Sequence, residues 1–265
     1  MLHLSQGQLN LLQTCPRKFQ HIYIEQLGFP IAPDHQDRLN WGQQFHLLMQ
    51  QRELGLPIDR ISAPLHQTVE SFVQAAPEVF HTPPDTRQSE HRRSLEFQGY
   101  LLTVIYDLLV MDDRQAQILD WKTYPRPQQS SWLKQNWQTR LYPFVLAETS
   151  EYDPDQISMT YWFIQNQAAP GIPEPNQSDR PCQPESITYS YSHQQHQQTH
   201  QELTRLLTQL THWLDRYQQG EPFPQAPTSS PHCDTCTFTI RCQRTSWIPP
   251  QRLPDFTTIE EVRFG

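Results

Sequence analysis

One carboxylate interrupts an almost wholly apolar run, Tyr100-Leu-Leu-Thr-Val-Ile-Tyr-Asp107-Leu-Leu-Val110, and it constrains the chain more than any other feature. Apolar, β-branched and aromatic residues make the run read as a buried strand. An ionised aspartate there costs several kcal/mol unless a cation, an ion pair or hydrogen bonds compensate it. After a turn at Asp112–Asp113 the chain continues as Gln117-Ile-Leu-Asp120-Trp-Lys122. Side chains alternate along a strand, so Asp120 and Lys122 emerge on one face and Trp121 on the other. If the hairpin pairs in its simplest register, Asp107 comes close to that face. Two carboxylates and an ammonium then converge beside the sheet.

These residue types suit phosphodiester chemistry. Mg²⁺ takes hard oxygen ligands, one or two of them carboxylates, and completes its shell with water and substrate phosphate. Such a cation acidifies water and offsets phosphate charge, and a neighbouring lysine stabilises the transition state. The plain alternative is a charge network or a turn-capping aspartate without catalytic role, since Asp-x-Lys alone is a common triplet.

Around this hairpin the periodicities alternate. Residues 5–27 read as a helix started by Ser5, with Leu9, Leu12, Cys15, Phe19 and Tyr23 on one face and Pro16 kinking or dividing it. Helices follow at 36–51, with Leu39, Phe45, His46 and Met49 in its periodic set, and at 64–75; proline-rich 77–86 reads as a loop. Strands are expected at 88–97, 99–110 and 115–122. A helix covering 130–149, with Trp132, Leu133, Trp137, Leu141, Phe144 and Val145 on its core face, comes next. Strands at 156–166 and 185–191 flank a polar excursion, 167–184. A helix at 193–218 presents Leu203, Leu206, Leu210, Trp213 and Leu214, and a proline-rich linker at 221–231 leads to the C-terminal cysteines. The order predicts an α/β fold, a central mixed sheet flanked by helices.

Five cysteines are too few and too uneven for a disulfide scaffold. Cys233-x2-Cys236-x5-Cys242 puts three thiols within ten residues, which suits zinc or an iron–sulfur cluster. The fourth ligand would be Cys15 or, for structural Zn²⁺, Cys15 or His232. Cys182 lies in the polar excursion and reads as unligated. Through Cys15 such a centre would join the first helix to the tail across 217 intervening residues, acting as a staple.

In order along the chain, several pieces resemble the PD-(D/E)xK nuclease superfamily, and within it the RecB-like branch, whose fold is restriction-endonuclease-like. LSQGQLNLLQTCPRKFQHIYIEQLG is similar to the branch's N-terminal helix and WGQQFHLLMQ to its Gly-x-x-x-His helix. SEHRRSLEFQGYLLTVIYDLL is similar to its Glu-bearing strand and first metal strand, ILDWKT to its Asp-x-Lys strand, and QTRLY to its Gln-x-x-x-Tyr helix. The resemblance implies one nuclease domain over 1–265: an N-terminal helical region over 1–80, a nuclease core over 86–218 and a cysteine segment over 231–245.

It further implies Mg²⁺ or Mn²⁺ held by His46, Asp107, Asp120 and the Trp121 carbonyl, with Lys122 catalytic. Gln138 and Tyr142 would aim at the site or at DNA, and Glu90 would support it. Where the branch usually has glycine three residues before its first aspartate, this chain has Val104, which bears on how closely DNA approaches that strand. AddB-type and CRISPR-adaptation nucleases of this branch hold a [4Fe–4S] cluster through a similar cysteine set. That implies cluster ligation by Cys15, Cys233, Cys236 and Cys242.

The functional expectation is a metal-dependent deoxyribonuclease, an exonuclease of repair, recombination or defence, acting on DNA that is single-stranded or has free ends. The alternatives are a non-cleaving DNA-binding module of the same fold and a zinc-stabilised protein-interaction domain. A net charge of −8 excludes a uniformly basic DNA-coating surface but leaves room for a local groove. Arg17, Lys18, Arg92, Arg93, Lys134, Arg140, Arg241 and Arg244 fall near the proposed centres in sequence, and Trp132 and Trp137 flank the Gln-x-x-x-Tyr helix. No phosphate loop occurs, so unwinding would need a helicase or repair partner. No apolar run approaches the ~20 residues of a membrane span, and the N-terminus lacks a secretory pattern, so a cytoplasmic location without membrane contact is expected.

Overall fold

A computed structural model of the chain describes residues 1–28, 33–58, 63–80, 86–164 and 184–244. Among the described residues six strands form one mixed sheet: β1 (His3–Leu4), β2 (Arg87–Phe97), β3 (Tyr100–Met111), β4 (Ala116–Lys122), β5 (Ile157–Phe163) and β6 (Glu185–Ser190). β2 and β3 pair antiparallel along their full length, from Arg87↔Val110 to Phe97↔Tyr100. Gln98 and Gly99, both at positive φ, make the tight turn between them. The other edge of β3 is shared. β4 pairs with its C-terminal end, Leu108↔Leu119 to Met111↔Ala116, and β1 with Leu101 and Leu102 at the opposite end. Beyond Leu119, β4 leaves β3 and pairs only with β5, in parallel. The sheet therefore forks at Asp107.

Two apolar layers sandwich it. On one face pack α1 (Gln6–Thr14), α2 (Pro16–Phe19), α7 (Trp137–Glu148) and α8 (His193–Gln218). On the other lie α3 (Pro33–Glu53), α4 (Ala63–Ala75) and α5 (Pro77–Phe80), which close over Leu108, Leu119, Trp121 and Trp162. Phe72 centres this second layer, its ring 5.2 Å from Trp121 and 5.4 Å from Trp162. The expected α/β architecture, a mixed sheet flanked by helices, is what the structure shows.

Pro16 does divide the first helix. Cys15 adopts an extended conformation between α1 and α2, and a π-helical turn, Gln20–Ile24, follows. Three expectations need correction. Residues 77–80 are helical, not loop: Pro77 opens α5 with φ already helical, and Val79 seats its side chain in the second core. The helix expected over 130–149 is two, α6 (Ser131–Gln135) and α7, because Asn136 is extended and caps α7 by accepting the Gln138 amide. Trp132 is accordingly exposed, while Leu133 and Trp137 are buried. Tyr23 and Leu39, expected on core faces, are also solvent-facing. The excursion at 167–184, with Cys182, lies outside the described residues apart from its last position.

Candidate active site

The fork creates the site. Apolar side chains of β3 alternate into the first core through Leu102, Val104 and Tyr106, then slip by one: Leu108 enters the second core and Leu109 the first. Asp107 sits at the slip. Its Oδ2 accepts the Trp121 backbone N–H at 2.6 Å, taking the place of a ladder bond where β4 swings away. Its Oδ1 lies 3.2 Å from His46 Nδ1 on α3. Across the hairpin Glu90 occupies the position opposite Asp107, with a left-handed φ of 48° inside a strand. Such backbone strain in a non-glycine residue concentrates at functional positions.

The consequence is a trio. One ligand atom each from His46, Glu90 and Asp107 lie within 4.8 Å of one another. Burial pushes the Glu90 carboxyl above its ordinary range, and the Asp107 charge adds to that. For His46, burial disfavours the imidazolium, yet the hydrogen bond and charge of Asp107 hold its pKa above the usual value. Protons are retained where negative charge is crowded, which is the electrostatic condition a divalent cation relieves.

Asp120 and Lys122 stand beside the trio, on the expected face. Lys122 Nζ is 2.6 Å from Asp120 Oδ2 and 2.8 Å from Gln138 Oε1. Gln138 Nε2 in turn donates to Asp120 Oδ1 at 2.6 Å. The aromatic ring of Tyr161 lies 5.4 Å from the ammonium. Burial raises Asp120 against the pull of Lys122; burial also works against the Lys122 charge, but Asp120 more than offsets it and keeps the lysine protonated. Tyr142 is buried behind Gln138 and hydrogen-bonds to it. Trp121 contributes its amide to Asp107 and its ring to the second core.

The helix cap explains how Gln138 arrives. Asn136 Oδ1 accepts both from the Gln138 amide and from Asn10 Nδ2, and Asn10 Oδ1 accepts the Trp137 amide. α1 thus fixes the first turn of α7, the turn that carries Gln138. Gly42 performs a similar service on α3: a Cβ there would lie 2.9 Å from Thr123 Oγ1, so its absence lets α3 sit against the end of β4.

His46, Glu90, Asp107, Asp120, Lys122, Gln138 and Tyr142 all line one open cleft of about 780 Å³ between α3, the fork and the start of α7. Its basic lining residues are Lys122 and Arg38. Three of the cations singled out by sequence proximity are engaged away from this cleft. Arg17 donates to Phe223 O, Arg93 to Thr149 O, and Arg140 pairs with Glu202 while lying over Trp137. Val104 is buried in the first core and presents nothing to the cleft, whereas Thr103 and Ile105 line it. Glu90 is the residue that sequence reasoning undervalued; its only signal was a place in the strand before Asp107.

A second cavity, about 340 Å³, is lined by Cys15, Cys233, Cys236 and Cys242 together, with His232 on its wall. Arg244 Nη1 donates to Cys233 Sγ at 2.7 Å, and burial raises the Cys242 thiol. Around it the tail is tied to the N-terminal helices: the Phe223 amide donates to Gln20 Oε1, and the His21 ring stacks on Phe238 at 4.8 Å.

A model of the PD-(D/E)XK nuclease superfamily matches residues 3–77 and 52–243, spans that include every site residue and all four of these cysteines. No curated protein matches the sequence significantly. Among solved structures, one named “Putative exonuclease”, from Eubacterium rectale, superposes with a TM-score of 0.54 at 10% identity, covering 94% of this chain and 90% of its own. SSO0001 aligns with a TM-score of 0.39 at 9% identity over 92% of this chain and 87% of its own. No helix among the described residues is long and apolar enough to cross a membrane.

Proposed function

The chain belongs to the PD-(D/E)XK nuclease superfamily, and from that premise we propose that it hydrolyses DNA phosphodiester bonds with Mg²⁺ or Mn²⁺ in the forked-sheet cleft. The observation that carries this reading is the convergence of His46, Glu90 and Asp107 beside the Asp120–Lys122–Gln138 network. One imidazole and two carboxylates suit a divalent cation that prefers oxygen and tolerates nitrogen. When bound, the cation supplies Lewis-acid polarisation of the phosphate and acidifies water. Asp120 completes the negative surround, and the Trp121 carbonyl is a further ligand implied by the family.

The protein's own groups do the rest. Lys122, held charged by Asp120, offsets negative charge gathering on the phosphate. Gln138 keeps the ammonium from collapsing wholly onto Asp120 by accepting one of its hydrogen bonds. Tyr142 backs Gln138, and Asp107 fixes His46 while anchoring β4 through the Trp121 amide.

End-labelled single- and double-stranded DNA, incubated with Mn²⁺ or Mg²⁺, tests the reading. Wild type is expected to cut. Lys122→Ala and Asp120→Ala should each lose about a hundredfold or more in rate while still binding DNA. A wild type that binds but never cuts, with either metal, would overturn it in favour of a binding module.

We assign the chain to the RecB-like branch, as a single nuclease domain acting from DNA ends as an exonuclease, in the cytoplasm, with strand separation left to a helicase or repair partner. The motif order and the exonuclease name of the Eubacterium rectale neighbour support the branch and the exonuclease reading. We further propose that Cys15, Cys233, Cys236 and Cys242 hold a [4Fe–4S] cluster. What supports this is that all four thiols line one cavity and that Cys15 with the Cys233-x2-Cys236-x5-Cys242 segment is the set that the family resemblance implies. Iron and zinc content, together with visible absorption of anaerobically purified protein, decides between the two metals.

A further inference from the structure

We propose that the cleft beside the metal trio holds a nucleobase subsite, in which Leu39 and Leu47 of α3 and Ile105 of β3 take the apolar face of an unstacked base. This rests on the nuclease reading above and names its substrate class: DNA that is single-stranded at the bond to be cut.

The helix α3 has two faces with different duties. Phe45, Leu48 and Met49 are buried in the second core and hold the helix down. The stripe turned to the cleft carries Leu39 and Leu47, which are 38% and 51% exposed and contribute nothing to that core. On β3 the same contrast recurs: Val104 and Tyr106 are buried, and Ile105 between them is 43% exposed into the cleft. A lone exposed aliphatic residue is ordinary, but three converging on one cleft beside titratable groups mark a binding surface.

Duplex DNA has no use for such a wall. It offers a protein its phosphates and sugars and hides its base faces in the stack. An unstacked base, in contrast, presents an apolar face to any side chain that covers it. Ile105 stands two residues from Asp107 on β3 and Leu47 next to His46 on α3, so both border the metal trio within the same cleft. With Lys122 and Arg38 as the basic lining residues and a net charge of −8, the cleft gains grip on its substrate from base contacts.

The test is a cycle between side chain and base, read by fluorescence anisotropy in Ca²⁺ so that binding is measured without cutting. The probes are a labelled oligothymidylate, an abasic strand of the same length and a blunt duplex. Wild type should bind oligothymidylate roughly five- to tenfold more tightly than the abasic strand. Leu47→Ser with Ile105→Ser should weaken oligothymidylate binding by a similar factor, leave the abasic strand unchanged, and keep the thermal midpoint, since both positions are exposed. Equal losses on both strands, tighter binding of the duplex, or no binding of single strands would overturn the subsite. Coupling in a protein that cuts nothing in Mn²⁺ would sink the nuclease reading and leave the subsite standing; cutting without coupling would do the reverse.

Discussion

Asp107 serves three neighbours with one carboxylate: His46 through Oδ1, the Trp121 amide through Oδ2, and Glu90 as the opposing charge. Its burial is tolerable because each oxygen is engaged. Glu90 has less support, and its raised pKa has a stability consequence. A group whose folded pKa exceeds its unfolded value contributes fully below the unfolded value, 4.5 for this carboxyl, and loses that contribution as pH climbs through the folded one. Glu90→Gln should therefore match wild type in thermal midpoint near pH 4 and exceed it increasingly toward neutral pH, in metal-free protein. Added Mn²⁺ should reverse the order by stabilising wild type more. A wild type-minus-variant difference that does not change with pH would refute the crowding of charge described at this site. Glu90 was hard to read in advance because its contribution depends on a backbone distortion and a cross-strand partner, neither of which a strand pattern encodes. Asp107, Asp120 and Lys122 were readable because charge in an apolar strand is costly wherever the strand sits.

At the scale of elements, helices α3 and α7 bring His46 and Gln138 to a fork made by β3 and β4. The approach of α3 to the end of β4 at Gly42 leaves no room for a side chain. Gly42→Ala would place a Cβ 2.9 Å from Thr123 Oγ1 and force α3 away from the end of β4. Overpacking of this kind costs about 1–3 kcal/mol, and the displacement should lower cleavage more than it lowers the thermal midpoint. Adding Thr123→Ala, which removes the obstructing oxygen, should restore most of both; no rescue would mean that α3 is positioned by something else. Element boundaries were largely visible in the alternation of periods three-to-four and two. The breaks at Asn136 and Pro77 were not. There, a cap shared with Asn10 on another helix and a buried Val79 overrode the local pattern.

Across the whole molecule two apolar layers, with the contacts of Phe223 and Phe238 to Arg17, Gln20 and His21, hold distant segments in one frame. Phe72 touches Phe45, Phe80, Trp121 and Trp162, so Phe72→Ala should cost about 3–5 kcal/mol in denaturant unfolding and loosen the helix that carries His46. Cys15→Ser should expose the linker at 221–231 to limited proteolysis to the same degree as iron chelation, if the tail is stapled by a cluster; proteolysis unaltered by both treatments would dismiss the staple.

The order of strands and helices, the face shared by Asp120 and Lys122 and the cost of a carboxylate within apolar sequence were set by the chain itself, because periodicity and solvation act over a few residues. The fork at Asp107, the entry of Glu90 beside His46, the bridge made by Gln138 and the gathering of four cysteines around one cavity were decided only by the tertiary structure. The segments that meet there are separated by tens to hundreds of residues, and their distances follow from register and helix packing, which no local rule carries.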